Sequence, residues 1–290
     1  MSSFLSPTQL KSLCETYLLT PSKKYGQNYL ISETPINKMI EAGELTPEDT
    51  VVEIGPGFGV LTLAMAPHVQ QVIAFEIEKK LEAYWEEQQR TFKNIEIVWG
   101  NALKEIGNKK LSAQGGSALG GELGSSYKVL ANLPYQITSN VIRTLLELEQ
   151  KPERIVIMVQ KEVAERICAK PGDMSVLAIS IQYYGTPNIV TKVTKGNFWP
   201  APKVDSAVVS ITNIQDRDDA ETFFRYVRAG FQNKRKQLWR NLSQTLHIDG
   251  ENVKRVLRDV VGDERVRAED LSVKKWEDVI DRLERIKENT

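Results

Sequence analysis

The chain has 290 residues, 41% hydrophobic and 26% charged, and its 38 basic residues equal its 38 acidic ones. That length favours one large domain with a small companion, and zero formal net charge excludes a global field drawing the molecule to a polyanion, so any such partner needs a local basic patch. Two distant cysteines, Cys14 and Cys168, with neither a CxxC pattern nor a nearby histidine, suggest neither a disulfide framework nor a zinc site, which fits a reducing cytoplasm.

At the N-terminus, MSSFLSPTQLKSLCETYLLT lacks the basic-then-apolar plan of a signal peptide and the arginine-rich pattern of a transit peptide, and no apolar run approaches membrane-spanning length. A cytoplasmic chain without membrane contact is expected. SETPINKMIEAG (32–43) reads as a helix capped by Thr34, with Pro35 in its first turn. Five aliphatic runs follow: VVEIG (51–55), QVIAFEI (71–77), IEIVWG (95–100), KVLANLP (128–134) and RIVIMVQ (154–160). They have the length and composition of strands buried on both faces, and helix-compatible VLTLAMAPH, EKKLEAYWEEQQRTF and SNVIRTLLELEQ lie between them. Alternation of this kind predicts a parallel, doubly wound α/β sheet.

The glycine- and serine-rich stretch 107–126 predicts a flexible surface excursion between the third and fourth strands. After the fifth, KEVAERICAK is a further helix. SVLAISIQYYG (175–185) predicts a helix leading into a strand near Pro187 to Val193, and SAVVSIT closes the sheet. From about residue 215 the aliphatic runs give way to charged amphipathic helices: ETFFRYVRAGF, KQLWRNLSQTL, ENVKRVLRD and KKWEDVIDRLERI. The expected division is therefore 1–214 for the α/β domain and 215–290 for a small all-α domain.

Chemistry concentrates where strands end. VVEIGPGFGV places Gly55, Gly57 and Gly59 at a strand-to-helix turn, where glycine lets the backbone fold tightly and brings peptide N–H groups to a ligand at the carboxyl edge of the sheet. Glu76 follows Gly55 by 21 residues, at the end of the second strand, where a carboxylate accepts from ribose hydroxyls. A tight turn beside an unrelated glutamate, and a dinucleotide enzyme, are the alternatives; against the latter, Val60 stands where GxGxxG requires its third glycine. Glu53 suits a cofactor with a positive amino-acid end better than a pyrophosphate. S-adenosylmethionine has that end, a sulfonium, a ribose and an adenine, and no phosphate. Asn101, after the third strand, suits an adenine edge or simply turn chemistry.

Four segments together, KKYGQNYLIS (23–32), EIGPGFGVLT (53–62), ANLPYQITS (131–139) and NFWPAPKVDSAV (197–208), resemble the ribosomal RNA adenine dimethyltransferases, which use S-adenosylmethionine to dimethylate adenine N6. VQKEVAERICAKPG and VRAGFQNKRKQLWRNL extend the resemblance to roughly 23–245. It implies a Rossmann-like class I methyltransferase sheet, mostly parallel with the last strand antiparallel, and a helical RNA-contacting domain. GQNYL, NLPY and KEVAER are closer to the small-subunit branch, acting on two adjacent adenines near the RNA 3′ end during ribosome assembly, than to the macrolide-resistance branch acting on large-subunit RNA. A non-catalytic assembly or transcription factor on the same fold is the rival of another class. The resemblance further implies that Asn28 and Leu30 border the methionine end of the cofactor, that Gly55 and Gly57 form the turn beneath it, that Glu76 holds the ribose, and that Asn132 belongs to both the cofactor and catalytic sites. Asn101 departs from the family's usual aspartate.

For an adenine amino group, whose lone pair is delocalised into the ring, the Asn132 side-chain oxygen and the Leu133 carbonyl are expected to accept its two N–H bonds and orient it. Pro134 fixes the preceding carbonyl in extended geometry. Tyr135 offers a stacking face and Phe198 the opposite one. Thr222 to His247 holds six basic residues, Arg225, Arg228, Lys234, Arg235, Lys236 and Arg240, and no acid; they read as a phosphate-binding face or as an ordinary solvated one. Lys23 and Lys24 add a second contact. The expected partner is small-subunit ribosomal RNA or the immature small subunit, met by a monomer that needs no metal.

Overall fold

The computed structural model, which describes residues 6–21, 28–107 and 126–288, divides into two units: Met1–Ala164 with Thr186–Ile214, and Glu165–Gly185 with Gln215–Thr290. The strands, all in the first unit, are β1 (Tyr29–Leu30), β2 (Thr50–Ile54), β3 (Gln71–Glu76), β4 (Ile95–Trp99), β5 (Lys128–Asn132), β6 (Arg154–Gln160), β7 (Thr186–Val193), β8 (Phe198–Trp199) and β9 (Ser206–Thr212). Seven of them form one sheet in the order β4-β3-β2-β5-β6-β9-β7. Pairs from β4 to β6 are parallel, and β9 runs antiparallel to both β6 and β7.

This matches the expectation of a mostly parallel sheet whose last strand is antiparallel. The central strands carry β-branched residues that are inaccessible on both faces, Val51 and Val52 in β2 and Ile155, Val156 and Ile157 in β6. The chain proceeds outward from β2 through β3 to β4, then returns to place β5 on the other side of β2. β2 and β5 therefore flank the topological switch point, where open α/β sheets bind ligands beyond the carboxyl ends of their strands.

Local signals explain most helix boundaries. The helix Glu33–Gly43 begins before Thr34, with Ser32 at the cap position, so Thr34 does not cap it; Pro35 is tolerated because first-turn N–H groups have no intrahelical partner. An N-terminal helix not anticipated above, Pro7–Thr16, opens on a capping box: Ser6 N–H donates to Gln9 Oε1 at 2.8 Å, and Gln9 N–H to Ser6 Oγ at 3.3 Å. The β1–β8 pair was also not anticipated. It aligns Tyr29 with Trp199 and Leu30 with Phe198 through strands too short to show periodicity.

The second unit departs from the expected 214/215 boundary, because 165–185 belongs to it. Its helix Val176–Tyr184 buries Ala178, Ile179, Ile181 and Tyr183. Tyr183 stacks on Phe223 at 4.0 Å, its hydroxyl donates to Asp219 at 2.5 Å, and Arg217 Nε donates to the Tyr183 carbonyl at 2.9 Å. These contacts reach across more than 30 intervening residues, so no local pattern announces them. The helices Ala220–Gly230, Leu238–Leu246, Gly250–Val261 and Val273–Glu288 complete this unit. Gly230 ends the first of these four, and a Cβ there would collide with Trp276 and Leu238.

Candidate active site

β2 delivers Glu53 and then turns through Gly55, Gly57 and Gly59, all left-handed, at φ of 75°, 56° and 74°. Steric cost to any L side chain selects glycine there. Close packing adds to this at two of the three: a Cβ on Gly57 would lie 3.0 Å from the Tyr29 ring, and one on Gly59 2.7 Å from Trp85. The turn is strapped from outside, since Trp85 Nε1 donates to the Gly57 carbonyl at 3.0 Å and the Tyr84 hydroxyl to the Phe58 carbonyl at 2.8 Å. Sequence reading missed both straps; the adjacent aromatics in the helix Glu82–Thr91 were the available signal.

Glu76 ends β3 with its carboxylate turned back to the loop. It accepts from Gly57 N–H at 3.0 Å and from Ile77 and Glu78 N–H at 2.8 Å each. Burial raises its pKa above the usual carboxylate value, and these three N–H bonds oppose the shift. A carboxylate offers about four lone-pair sites, so acceptor capacity remains for a hydroxyl.

Glu53 is 2% exposed and accepts from the Thr62 hydroxyl at 2.5 Å. Burial pushes it up to about 8, against the Thr62 bond and with help from the nearby Glu76 charge. Among the described residues no ion pair compensates it.

From the other side of the switch point, β5 brings Asn132, Leu133, Pro134 and Tyr135. Leu133 N–H still donates to the Met158 carbonyl at 3.2 Å, and Pro134, with no N–H, ends the ladder. Asn132 Nδ2 donates to the Asn28 carbonyl at 3.4 Å, a long bond that leaves Oδ1 as the acceptor for a ligand. The Tyr135 hydroxyl shares a 2.8 Å hydrogen bond with Ser206 Oγ, tethering the ring edge to the first residue of β9.

One cavity collects these groups. Asn28, Leu30, Gly55, Gly57 and Glu76 line it, and so do Asn132, Leu133, Pro134 and Tyr135. Glu53, Tyr29 and Ile77 join them; Ile77, read above as part of its strand, lies just past the strand end and is 53% exposed.

Two expected residues lie apart from the cavity lining. Phe198 is 3% exposed and packs in the core, because β8 pairs with β1 and its ring is drawn into the hydrophobic cluster. Asn101 is exposed and starts the helix Ala102–Gly107: its Oδ1 accepts from Leu103 N–H at 3.0 Å and its carbonyl from Lys104 N–H at 2.9 Å. Turn chemistry therefore engages one lone pair of the amide oxygen. Lys23, Lys24 and most of the 107–126 excursion lie outside the described residues.

In the second unit, Arg225, Arg228, Lys234, Arg235, Lys236 and Arg240 are all exposed. They are not equally available. Arg225 pairs with Glu284 at 3.1 Å, Lys236 Nζ donates to Gln244 at 3.3 Å, and Arg240 lies 5.2 Å over the Trp239 ring. Arg228, Lys234 and Arg235 have no side-chain partner among the described residues.

A glycine turn and a buried acid at the switch point of a seven-stranded sheet with an antiparallel β9 define a Rossmann-like methyltransferase. A family model described as "Ribosomal RNA adenine dimethylase" matches residues 19–285, and the chain belongs to that family. It is 41% identical over 272 residues to the ribosomal RNA small subunit methyltransferase A of Dehalococcoides mccartyi, covering 92% of this chain and 90% of that one. Among solved structures, it is similar to the 23S rRNA methyltransferase ErmE, with TM-score 0.69, 24% identity and coverage of 89% and 100% of the two chains. It is equally similar to a dimethyladenosine transferase from Plasmodium falciparum, with TM-score 0.69, 23% identity and coverage of 86% and 95%. At such identities the structural likeness speaks for the fold alone. Among the described residues, no helix is long and apolar enough to cross a membrane.

Proposed function

We propose that this chain transfers methyl groups from S-adenosylmethionine to adenine N6 in small-subunit ribosomal RNA, dimethylating two adjacent adenines near the 3′ end during ribosome assembly. The observation that carries this reading is the single cavity shared by the glycine turn after β2, Glu76 after β3 and the Asn132–Tyr135 segment after β5. The likeness to a small-subunit methyltransferase supports the choice of RNA.

The residues present fit the cofactor. Glu53 is a buried acid with no cation beside it, and Glu76 keeps acceptor capacity beside the Gly57 N–H. Two carboxyl groups in one cavity suit a cation and oppose a pyrophosphate, which weighs against a dinucleotide. When bound, S-adenosylmethionine supplies an electrophilic methyl on a sulfonium. Asn28 and Leu30 border its methionine end, Gly55 and Gly57 leave room for it, and Glu76 accepts from its ribose.

For the base, Asn132 Oδ1 and the Leu133 carbonyl accept the two N6–H bonds and turn the nitrogen lone pair out of conjugation. Tyr135 stacks on the extruded ring, a contact worth ~1–3 kcal/mol. Positioning of this kind supplies roughly 7–11 kcal/mol of barrier reduction, so a general base is not needed for attack: the C–S bond pair stays on sulfur as a neutral thioether, and the N6 proton passes to water afterwards. Arg228, Lys234 and Arg235, with their neighbours, neutralise phosphates from the second unit. The protein acts as a cytoplasmic monomer.

The test is methyl transfer from labelled cofactor to immature small subunits with the modified positions mapped. Two adjacent dimethylated adenines near the 3′ end are expected. Label only in large-subunit RNA would replace this reading by the resistance enzyme, and cofactor binding without methyl transfer to either particle by a non-catalytic factor.

A further inference from the structure

The second unit holds a buried amide that the proposed chemistry does not use. Asn241, on the helix Leu238–Leu246, is 1% exposed. Its Nδ2 donates to two backbone carbonyls, that of Gly230 at 2.6 Å and that of Asn233 at 3.1 Å. Reversing the amide would set Oδ1 against both carbonyl oxygens, so hydrogen-bond chemistry fixes its orientation.

Each acceptor has a distinct place. Gly230 is the last residue of its helix, where carbonyls lack intrahelical partners, and the space beside it is closed by Trp276 and Leu238. That end of the segment is closely packed. Asn233 lies three residues on, and its carbonyl also accepts from Lys236 N–H at 3.0 Å. Between the two helices runs Phe231-Gln232-Asn233-Lys234-Arg235-Lys236-Gln237, whose three consecutive cations are exposed. One buried side chain thus clamps both the root of this segment and the turn from which its charges project.

We infer that Asn241 is the positioning residue of the basic segment: it fixes the backbone that presents Lys234, Arg235 and Lys236 to RNA phosphates. The inference rests on the phosphate-binding role proposed above for those side chains. A segment held in shape before binding loses less freedom when it binds, and that advantage disappears with the clamp.

Asn241→Asp replaces both donors with an acceptor facing two carbonyls; Asn241→Ser keeps one shorter donor and puts the fold at less risk. Binding of the full chain to immature small subunits is measured across a salt series, together with S-adenosylmethionine affinity and turnover at saturating particle. The aspartate variant should bind particles about tenfold more weakly, and the serine variant by an intermediate factor. Cofactor affinity and saturated turnover should stay at wild-type values. In a chain with Lys234, Arg235 and Lys236 all changed to alanine, substitution of Asn241 should weaken binding no further. A lowered thermal midpoint with unchanged particle affinity, or an equal loss in both backgrounds, overturns the positioning role. If the triple alanine chain itself binds as tightly as wild type, the phosphate-binding reading fails and the inference with it. If the triple change weakens binding and the Asn241 variants do not, the inference alone fails.

Discussion

Glu53 offers the sharpest test of the cofactor site, because its protonation state must change when a cation arrives. In the free protein its carboxyl is pushed up to about 8 by burial, so it is largely neutral at neutral pH. A ligand bearing a positive charge requires the ionised form. Deprotonating the group about one pH unit below its pKa costs about 1.4 kcal/mol, a factor of about ten in affinity. Affinity for S-adenosylmethionine should therefore rise by up to about tenfold per pH unit below about 8, with up to about one proton released per cofactor bound there, and level off above it as the release falls away.

The perturbation that isolates Glu53 is Glu53→Gln, which keeps an acceptor for the Thr62 hydroxyl and cannot ionise. Calorimetric titration from about pH 6 to about pH 9, in pairs of buffers with different ionisation enthalpies, counts the protons released. The variant should lose most of the proton release and most of the pH slope. Free-protein stability gives a second readout. A carboxyl whose folded pKa lies above its unfolded one contributes stability below the ordinary carboxylate range, and that contribution is lost as pH rises through about 8. The wild-type thermal midpoint should fall across that window more than the variant's. Equal proton release and equal pH slopes in the two proteins would refute the assignment of Glu53 to a cationic ligand.

Asn132→Ala should lower turnover on authentic particles by about 10²–10³, the range for removal of one positioned electrostatic group. Because its 3.4 Å bond to the Asn28 carbonyl is weak, denaturant unfolding should show a stability loss within about 1 kcal/mol. Gly59→Ala should cost more than about 1 kcal/mol, since φ of 74° and a contact at 2.7 Å to Trp85 both penalise the added methyl, and an unchanged unfolding midpoint would count against the strapped turn. Lys234→Ala and Arg235→Ala should each reduce the slope of log affinity for RNA against log salt by about 0.7–0.9, measured by filter binding, with methyl transfer at saturating RNA preserved.

Much of the active site was legible because its chemistry is written in short, contiguous stretches. Gly55, Gly57 and Glu76 follow from a glycine turn and an acid at a set distance, and the structure brings them into one cavity. Asn132 to Tyr135 were marked by a proline closing an aliphatic run. Phe198 and Asn101 lie outside that cavity lining for physical reasons. A two-residue strand pairing pulls Phe198 into the core, and a helix start takes the Asn101 amide. The Thr62–Glu53 bond, the Tyr84 and Trp85 straps and the Tyr135–Ser206 tether had no sequence signal strong enough to act on, because each joins residues from different elements.

By itself the sequence determined the alternation of buried strands with helices and the identity of the groups at the strand ends, while the antiparallel direction of the closing strand came from the family resemblance and is seen in the β6–β9 and β9–β7 pairings. Hydrophobic periodicity and turn chemistry act over a few residues, and a chain displays them openly. Tertiary structure decided which strand ends share a cavity, since only the order of β2 and β5 about the switch point sets Glu53 and the glycine turn opposite Asn132. It also decided that 165–185 belongs with the helical unit, where Tyr183 meets Phe223 and Asp219. Burial, pKa and hydrogen-bond partnership are properties of packed neighbours, and packing brings together residues that the sequence keeps far apart.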